Sequence, residues 1–162
     1  MSATLPPNGT RGTGIPKFVR PIAKVGMKVF HFIFGILGDR LKVQGQTLLE
    51  LRTFGARTGK ERQVIVTRFE DPQHPDAWLV VGTASGAARH PSWCYNLIKN
   101  PNQAWVKAGG QDEVKVHPEL LEGPEREAAW KLIVQRAPGF GKYETTTDRQ
   151  IPVFRLTPSK GA

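Results

Sequence analysis

The chain holds a single cysteine, Cys94, among 162 residues. A lone cysteine forms no intramolecular disulfide and excludes every multi-cysteine metal site. Four scattered histidines (His31, His74, His90 and His117) lack metal-ligand spacing, so no metal is expected. No apolar run reaches the roughly 18 residues of a spanning helix. The start, MSATLPPNGTRGTG, carries neither the apolar segment nor the cleavage site of a signal peptide. A soluble, reduced, cytoplasmic protein is the expectation. No Ser/His/Asp set stands out for hydrolysis, and no pair of carboxylates recommends itself as an acid/base couple. Cys94, between Trp93 and Tyr95, reads as a packed thiol rather than a nucleophile.

Hydrophobic residues make up 39% and charged residues 23%, enough to build the core of one domain. Thirteen prolines and 17 glycines point to strands and turns rather than a helical bundle. The net charge of +9 is unevenly spread: residues 1–62 hold eleven Lys/Arg against three Asp/Glu, and residues 63–162 hold twelve against eleven. An anionic partner is expected at the N-terminal end: phosphate, a polycarboxylate, lipid headgroups or nucleic acid.

Residues 1–15, rich in Pro, Gly and Thr, read as a flexible tail. Residues 16–40 read as a basic amphipathic helix. Lys17, Arg20, Lys24, Lys28 and His31 share one face, and Phe18, Ile22, Val25, Val29, Phe32 or Ile33, and Ile36 the other. Two readings stay open: a helix packed on the domain with its cations in water, or one lying on an anionic membrane surface. Residues 41–162 follow as the main domain. Strands are expected at 48–54, 64–69 and 78–83, a short helix at 90–98, strands at 103–107 and 113–117, a helix at 124–136 with Ala128, Leu132 and Ile133 inward, and a last strand at 151–156. Hairpin links make the sheet largely antiparallel, and a small barrel is the economical way to hide its edges. The fold class is α+β, mainly β.

The densest chemistry is Gly55-Ala56-Arg57-Thr58-Gly59-Lys60-Glu61-Arg62. It is not a nucleotide-binding P-loop: three residues rather than four separate the glycines, and Glu61 follows the lysine where Ser or Thr is needed. What is left is a turn with three cations and two glycines, suited to one anion. A second segment, Gly82-Thr83-Ala84-Ser85-Gly86, is small enough for a flat ligand to approach its backbone. Trp93 and Tyr95 follow on the next helix.

These segments, with Leu51–Arg62, Thr83–Leu97, Asn100-Pro101 and Thr147–Val153 kept in order and spacing, resemble the deazaflavin-dependent nitroreductase family from about Leu48 to Pro158. The resemblance implies a split β-barrel and coenzyme F420, whose lactyl phosphate and polyglutamate tail are anionic. It implies that Arg57, Thr58, Gly59, Lys60 and Arg62 hold the phosphate and tail. Val64, Ile65 and Val66 would lie beneath the ring, with Gly82, Thr83, Ala84, Ser85 and Gly86 bordering ring and phosphate. Trp93, Phe140 and Tyr143 would face substrate, and Tyr143 or water would supply a proton. Ile65 stands where better-known members have proline, Ala84 where one has lysine, and Cys94 where tyrosine often follows the tryptophan. Of several substrate-side tyrosines only Tyr143 is kept.

The function implied is hydride transfer from reduced deazaflavin to an electron-poor acceptor: an activated alkene, a quinone or a nitro-aromatic. The alternatives are an FMN-dependent reductase and a non-catalytic barrel binding a lipid or fatty acid. Aromatic platforms spaced for stacked bases are missing, so no nucleic acid is expected. The assembly reads as monomer or homodimer. The Gly/Pro-rich stretch 137–143 reads as a mobile lid.

Overall fold

Alternating apolar residues set the strands, and glycine turns fold them into hairpins. The computed structural model describes residues 3–14 and 20–160, the side chains of 20–24 excepted. In chain order the elements are α1 (Arg20–Leu37), β1 (Lys42–Val43), β2 (Gln46–Phe54), β3 (Glu61–Glu70), β4 (Trp78–Val81) and α2 (Ser92–Lys99). Then come β5 (Trp105–Ala108), β6 (Val114–Leu120), α3 (Gly123–Arg136), α4 (Gly141–Thr146) and β7 (Val153–Pro158).

Strands β2 to β7 run in the order β2-β3-β4-β7-β6-β5, every neighbour antiparallel, and β5 returns to pair with β2 from Leu49↔Ala108 to Arg52↔Trp105. The sheet closes into a small barrel, which removes the open edges a seven-strand sheet would leave. β1 adds only a two-residue bridge to β2.

Side-chain alternation distributes the core over two layers. Leu49, Leu51, Val80, Val106, Val116, Phe154 and Leu156 fill the barrel, joined by Trp93, Cys94 and Leu97 of α2. Leu79, Val81 and Val153 face outward and are covered by Ala129, Trp130 and Ile133 of α3 and by Phe140. β4 and β7 are therefore buried on both faces, which is why each reads as a continuous apolar run rather than an alternating one. Arg126 is buried with them; it donates to the Ile151 carbonyl at 2.6 Å and lies over the Trp130 ring, 5.1 Å from its centroid.

Four expectations need correction. Residues 3–14 are not a loose tail: they lie along residues 85–90, tied by hydrogen bonds from Gly9 N to Ala88 O (2.8 Å) and Thr13 N to Gly86 O (3.0 Å). Backbone donors and small side chains let this extended segment lie close against another, and Leu5 adds a partly buried contact with the barrel core. The stretch 137–143 is no lid, because Phe140 is buried edge-on against Phe69, ring centroids 5.5 Å apart, and α4 follows it directly. In α3 the inward positions include Ala129 in place of the exposed Ala128.

The fourth correction concerns α1. Phe34, outside the expected apolar stripe, is buried, and the half-buried His31 meets Glu50 of β2 at 3.1 Å. Val25, Val29, Phe32 and Ile36 are left 64%, 52%, 71% and 68% exposed. Lys17 and Phe18 lie outside the described residues, as do the side chains of Arg20, Ile22 and Lys24.

Candidate functional site

The barrel is incomplete along one seam. β3 pairs with β2 from Glu61 to Thr67 but with β4 only at Arg68, Phe69 and Glu70. Past Val81 the chain leaves the sheet, so the edge of β3 that carries Val64–Val66 has no strand opposite it. Were the β3–β4 register continued, Val66 would face Gly82 and Val64 would face Ala84. The two segments that sequence reasoning singled out separately thus flank one split. Val64 and Val66 turn their side chains onto the barrel core, which leaves Ile65 on the opposite face by strand alternation.

The cationic hairpin loop closes one end of this seam. Its backbone is fixed by Gly55 N to Lys60 O and Gly59 N to Gly55 O, both 2.8 Å. Gly59 has φ of +65°, and a β-carbon added there would meet nothing within 4 Å, so glycine is needed for its backbone and not for space. Helix α2 pins the loop from below. The Asn96 side chain accepts from Ala56 N at 2.9 Å and donates to Thr53 Oγ1 at 3.0 Å, while Asn100 Nδ2 donates to Phe54 O at 3.0 Å. These two asparagines were not foreseen as site residues; Asn100-Pro101 was the available signal.

Arg57, Lys60 and Arg62 are exposed, and among the described residues none sits in an ion pair. By contrast Arg52, Arg68, Arg126 and Arg155 each meet a carboxylate within 3.1 Å. Three unpaired cations on one turn form a donor set for an extended polyanion.

The second segment is a strained turn. Ala84, Ser85 and Gly86 have φ of +45°, +53° and +78° in succession, and left-handed backbone costs a non-glycine residue about 1–2 kcal/mol. Gly82 precedes it under close packing: a β-carbon there would lie 2.7 Å from Cys94 Sγ and 2.8 Å from Pro152 Cγ. Tyr143 and Thr146 of α4 pack on Gly86, since a β-carbon on that glycine would stand 3.5 Å from Tyr143 Cδ1 and 3.0 Å from Thr146. Tyr143 therefore joins the seam. Trp93 and Phe140 do not: Trp93 is buried against Phe154 and Phe140 against Phe69, so both of these expected substrate contacts serve the core. Cys94 is fully buried, and burial pushes its thiol well above its ordinary range, which keeps it protonated and inert.

Arg149 holds this turn in place. It is buried without a carboxylate among the described residues. Nη2 donates to Thr83 O and Nε to Ala87 O, both at 2.7 Å, and Nη1 lies 3.0 Å from His90 Nδ1. A guanidinium only donates, so Nδ1 of His90 accepts and the ring proton sits on Nε2, which donates to Pro6 O at 2.8 Å. Burial, and then the Arg149 charge, hold the His90 pKa below its ordinary value of 6.5.

A family model described as F420H(2)-dependent quinone reductase matches residues 28–158. An F420H(2)-dependent quinone reductase of Mycobacterium tuberculosis is 31% identical over 124 residues, 76% of this chain and 80% of that protein. Among solved structures, an F420-H2 dependent reductase superposes with a TM-score of 0.58 at 36% identity, covering 67% of this chain and 92% of its own. A chain solved as a domain-swapped dimer superposes with a TM-score of 0.59 at 30% identity, covering 84% and 98%.

The His90 geometry has a measurable consequence. Because its folded pKa is lowered, the unfolded chain takes up a proton first as the pH falls. Stability is complete above about pH 6.5 and declines below it, before the carboxylates protonate near pH 4. Urea unfolding at steps from pH 7.5 to 5 is expected to show this decline, and His90→Gln is expected to flatten it. A slope that persists in the variant would assign it to another group.

Proposed function

The chain belongs to the F420H(2)-dependent quinone reductase family, whose members are oxidoreductases that use coenzyme F420, and from that premise we propose that it reduces a quinone at the β3–β4 seam. The observation that carries this is the junction of an unpaired cationic loop with an open strand edge. The residues present fit the cofactor's chemistry. Arg57, Lys60 and Arg62 suit its phosphate and acidic tail, the free edge at Val64–Val66 suits hydrogen bonds to a planar heterocycle, and the small residues Gly82–Gly86 permit close approach. FMN, with one phosphate and no polyglutamate, would leave cations of this loop without a partner. A fatty acid, with a single carboxylate, would pair one of these cations and leave the others free, and an uncharged lipid would pair none, so the loop favours the polyanionic cofactor over the carrier reading.

Reduced F420 supplies hydride to the acceptor. The chain's part is to orient, to exclude water and to handle the proton. Thr58 Oγ1 accepts from Lys60 N at 3.3 Å, which shapes the loop that grips the tail. Tyr143, beside Gly86, is the candidate donor of the proton that a quinone oxygen takes up as hydride arrives, with replacement from water. Quinone is the acceptor favoured over an activated alkene or a nitro-aromatic, because a lipid-soluble quinone agrees with the exposed stripe on α1.

Arg57→Ala and Arg62→Ala are each expected to weaken F420 binding by about 1–3 kcal/mol, the range of a charge-assisted contact, with a loss that shrinks as salt rises. Titration followed by deazaflavin fluorescence measures it, with FMN as the control. No binding of either cofactor would remove the reductase reading.

Tyr143→Phe is expected to lower quinone turnover by about 10²-fold, the lower range for a positioned general acid, while F420 affinity stays at the wild-type value. Wild-type turnover in this variant would make water the proton source and leave Tyr143 a packing role.

The enzyme is further proposed to work on an anionic membrane surface. Val25, Val29, Phe32 and Ile36 form an exposed apolar stripe, and residues 1–38 contain five Lys/Arg and no Asp/Glu. Among the described residues no helix is long and apolar enough to cross a membrane, so contact would be peripheral, each cation near the leaflet adding about 1 kcal/mol. Co-sedimentation with anionic vesicles is expected to fall with salt and to be lost in Phe32→Ser/Ile36→Ser. A protein that ignores the vesicles and instead pairs through this stripe in solution would replace the membrane by a second copy of the chain.

A further inference from the structure

We propose that residues Asn8–Thr13 are a strap that holds the left-handed turn Ala84–Gly86 in its binding shape, with Gly12 and Thr13 as its positioning residues. The proposal rests on the reading that this turn borders the cofactor, and it assigns a role to a segment outside the matched family region, residues 28–158.

A turn with two non-glycine residues at positive φ relaxes unless its surroundings over-determine it. Across Thr83–Ala88 every backbone oxygen has a donor. Thr83 O accepts from Gly86 N and Arg149 Nη2, Ala84 O from Ala87 N, and Ala87 O from Arg149 Nε. The other three are held by the N-terminal segment alone: Ser85 O by Thr13 Oγ1 at 2.7 Å, Gly86 O by Thr13 N at 3.0 Å, and Ala88 O by Gly9 N at 2.8 Å. Arg149 and the strap thus divide the turn between them.

The strap is itself fastened. Asn8 Oδ1 accepts from His90 N and from Tyr95 Oη, both at 3.0 Å. Asp148 accepts from Thr10 N and Arg11 N at 2.9 Å and from Thr10 Oγ1 at 2.6 Å, and Thr147 Oγ1 donates to Arg11 O at 2.9 Å. These donors, Thr10 Oγ1 foremost, hold the Asp148 carboxyl down to about 2, so it accepts at any working pH. The sequence Asn8-Gly9-Thr10-Arg11-Gly12-Thr13 fits the task by a period of three. Gly9 and Gly12 lie against backbone, where a β-carbon on Gly12 would overlap Ala88 N and reach within 2.6 Å of Gly86 O. Thr10 and Thr13 supply the hydroxyls.

The test uses the full chain with Gly12→Ala, Thr13→Val and the conservative Thr13→Ser. The core contains neither residue, so thermal unfolding is expected to stay near wild type in all three. Hydrogen exchange of amides 84–90 in the cofactor-free protein is expected to quicken in Gly12→Ala and Thr13→Val and to be restored in Thr13→Ser. Coenzyme F420 is expected to bind the first two roughly five- to tenfold more weakly, the scale of one lost hydrogen bond. Wild-type exchange in both variants overturns the strap, and so does quickened exchange with unchanged affinity. If the wild-type protein binds no F420, the functional reading falls, and the exchange result then decides the strap by itself.

Discussion

A buried guanidinium with no countercharge among the described residues is the constraint on which the site depends. Arg149 spends its donors on Thr83 O, Ala87 O and His90 Nδ1. A charge taken out of water needs hydrogen-bond partners, and here two carbonyls and the His90 ring nitrogen accept from three of its five N–H groups. The chain between Thr83 and His90 therefore closes around Arg149 instead of continuing β4. β3 and β4 stop pairing at Arg68↔Val80, and the turn around Arg149 takes up the chain beyond β4, leaving the upper edge of β3 open. The seam, the left-handed turn and the fixed tautomer of His90 follow from the same placement.

The other arginines show how differently one protein uses one side chain. Arg155 is buried and paired three ways, to Asp71 at 2.6 Å and to Glu125 and Glu119 at 2.7 and 3.1 Å, so it pins the β3–β4 turn to β6, β7 and α3. Burial alone would raise the Asp71 pKa, but the hydrogen bonds from Arg155 and Gln73 outweigh it and leave it lowered. Arg52 stacks over Trp105, 4.2 Å from its centroid, and is neutralised by Glu113 at 2.7 Å. Arg149 apart, these structural arginines carry their own carboxylates. Among the described residues the cations of the 55–62 loop carry none.

Much of the frame is legible in the residues. Gly55–Lys60 and Gly109-Gly110 mark hairpins, and the apolar runs of β4 and β7 mark strands covered on both faces. Closure through Leu49↔Ala108 is not legible, because no local signal reports which distant strand completes a barrel. The cationic loop and the Gly82–Gly86 turn are visible as composition; that they face each other across a seam is a matter of register. Trp93 and Phe140 illustrate the opposite failure. Aromatics near a site look like ligand contacts, yet Trp93 fills the barrel core and Phe140 the layer between the barrel and α3. Residues 3–14 fail for a third reason: Gly, Pro and Thr resemble a linker whether or not a partner backbone lies within reach.

A split barrel by itself does not specify chemistry, since the same scaffold serves unrelated ligands. What distinguishes this chain is where it withholds interactions. Among the described residues it withholds a strand from β3 at Val64–Val66, carboxylates from Arg57, Lys60 and Arg62, and a partner surface from Val25, Val29, Phe32 and Ile36. Each omission has a cost in the isolated molecule: unpaired backbone groups, like-charge repulsion and exposed apolar area. A planar, hydrogen-bonding, polyanionic cofactor offsets the first two together, and an anionic lipid surface would offset the third along with the cations of α1.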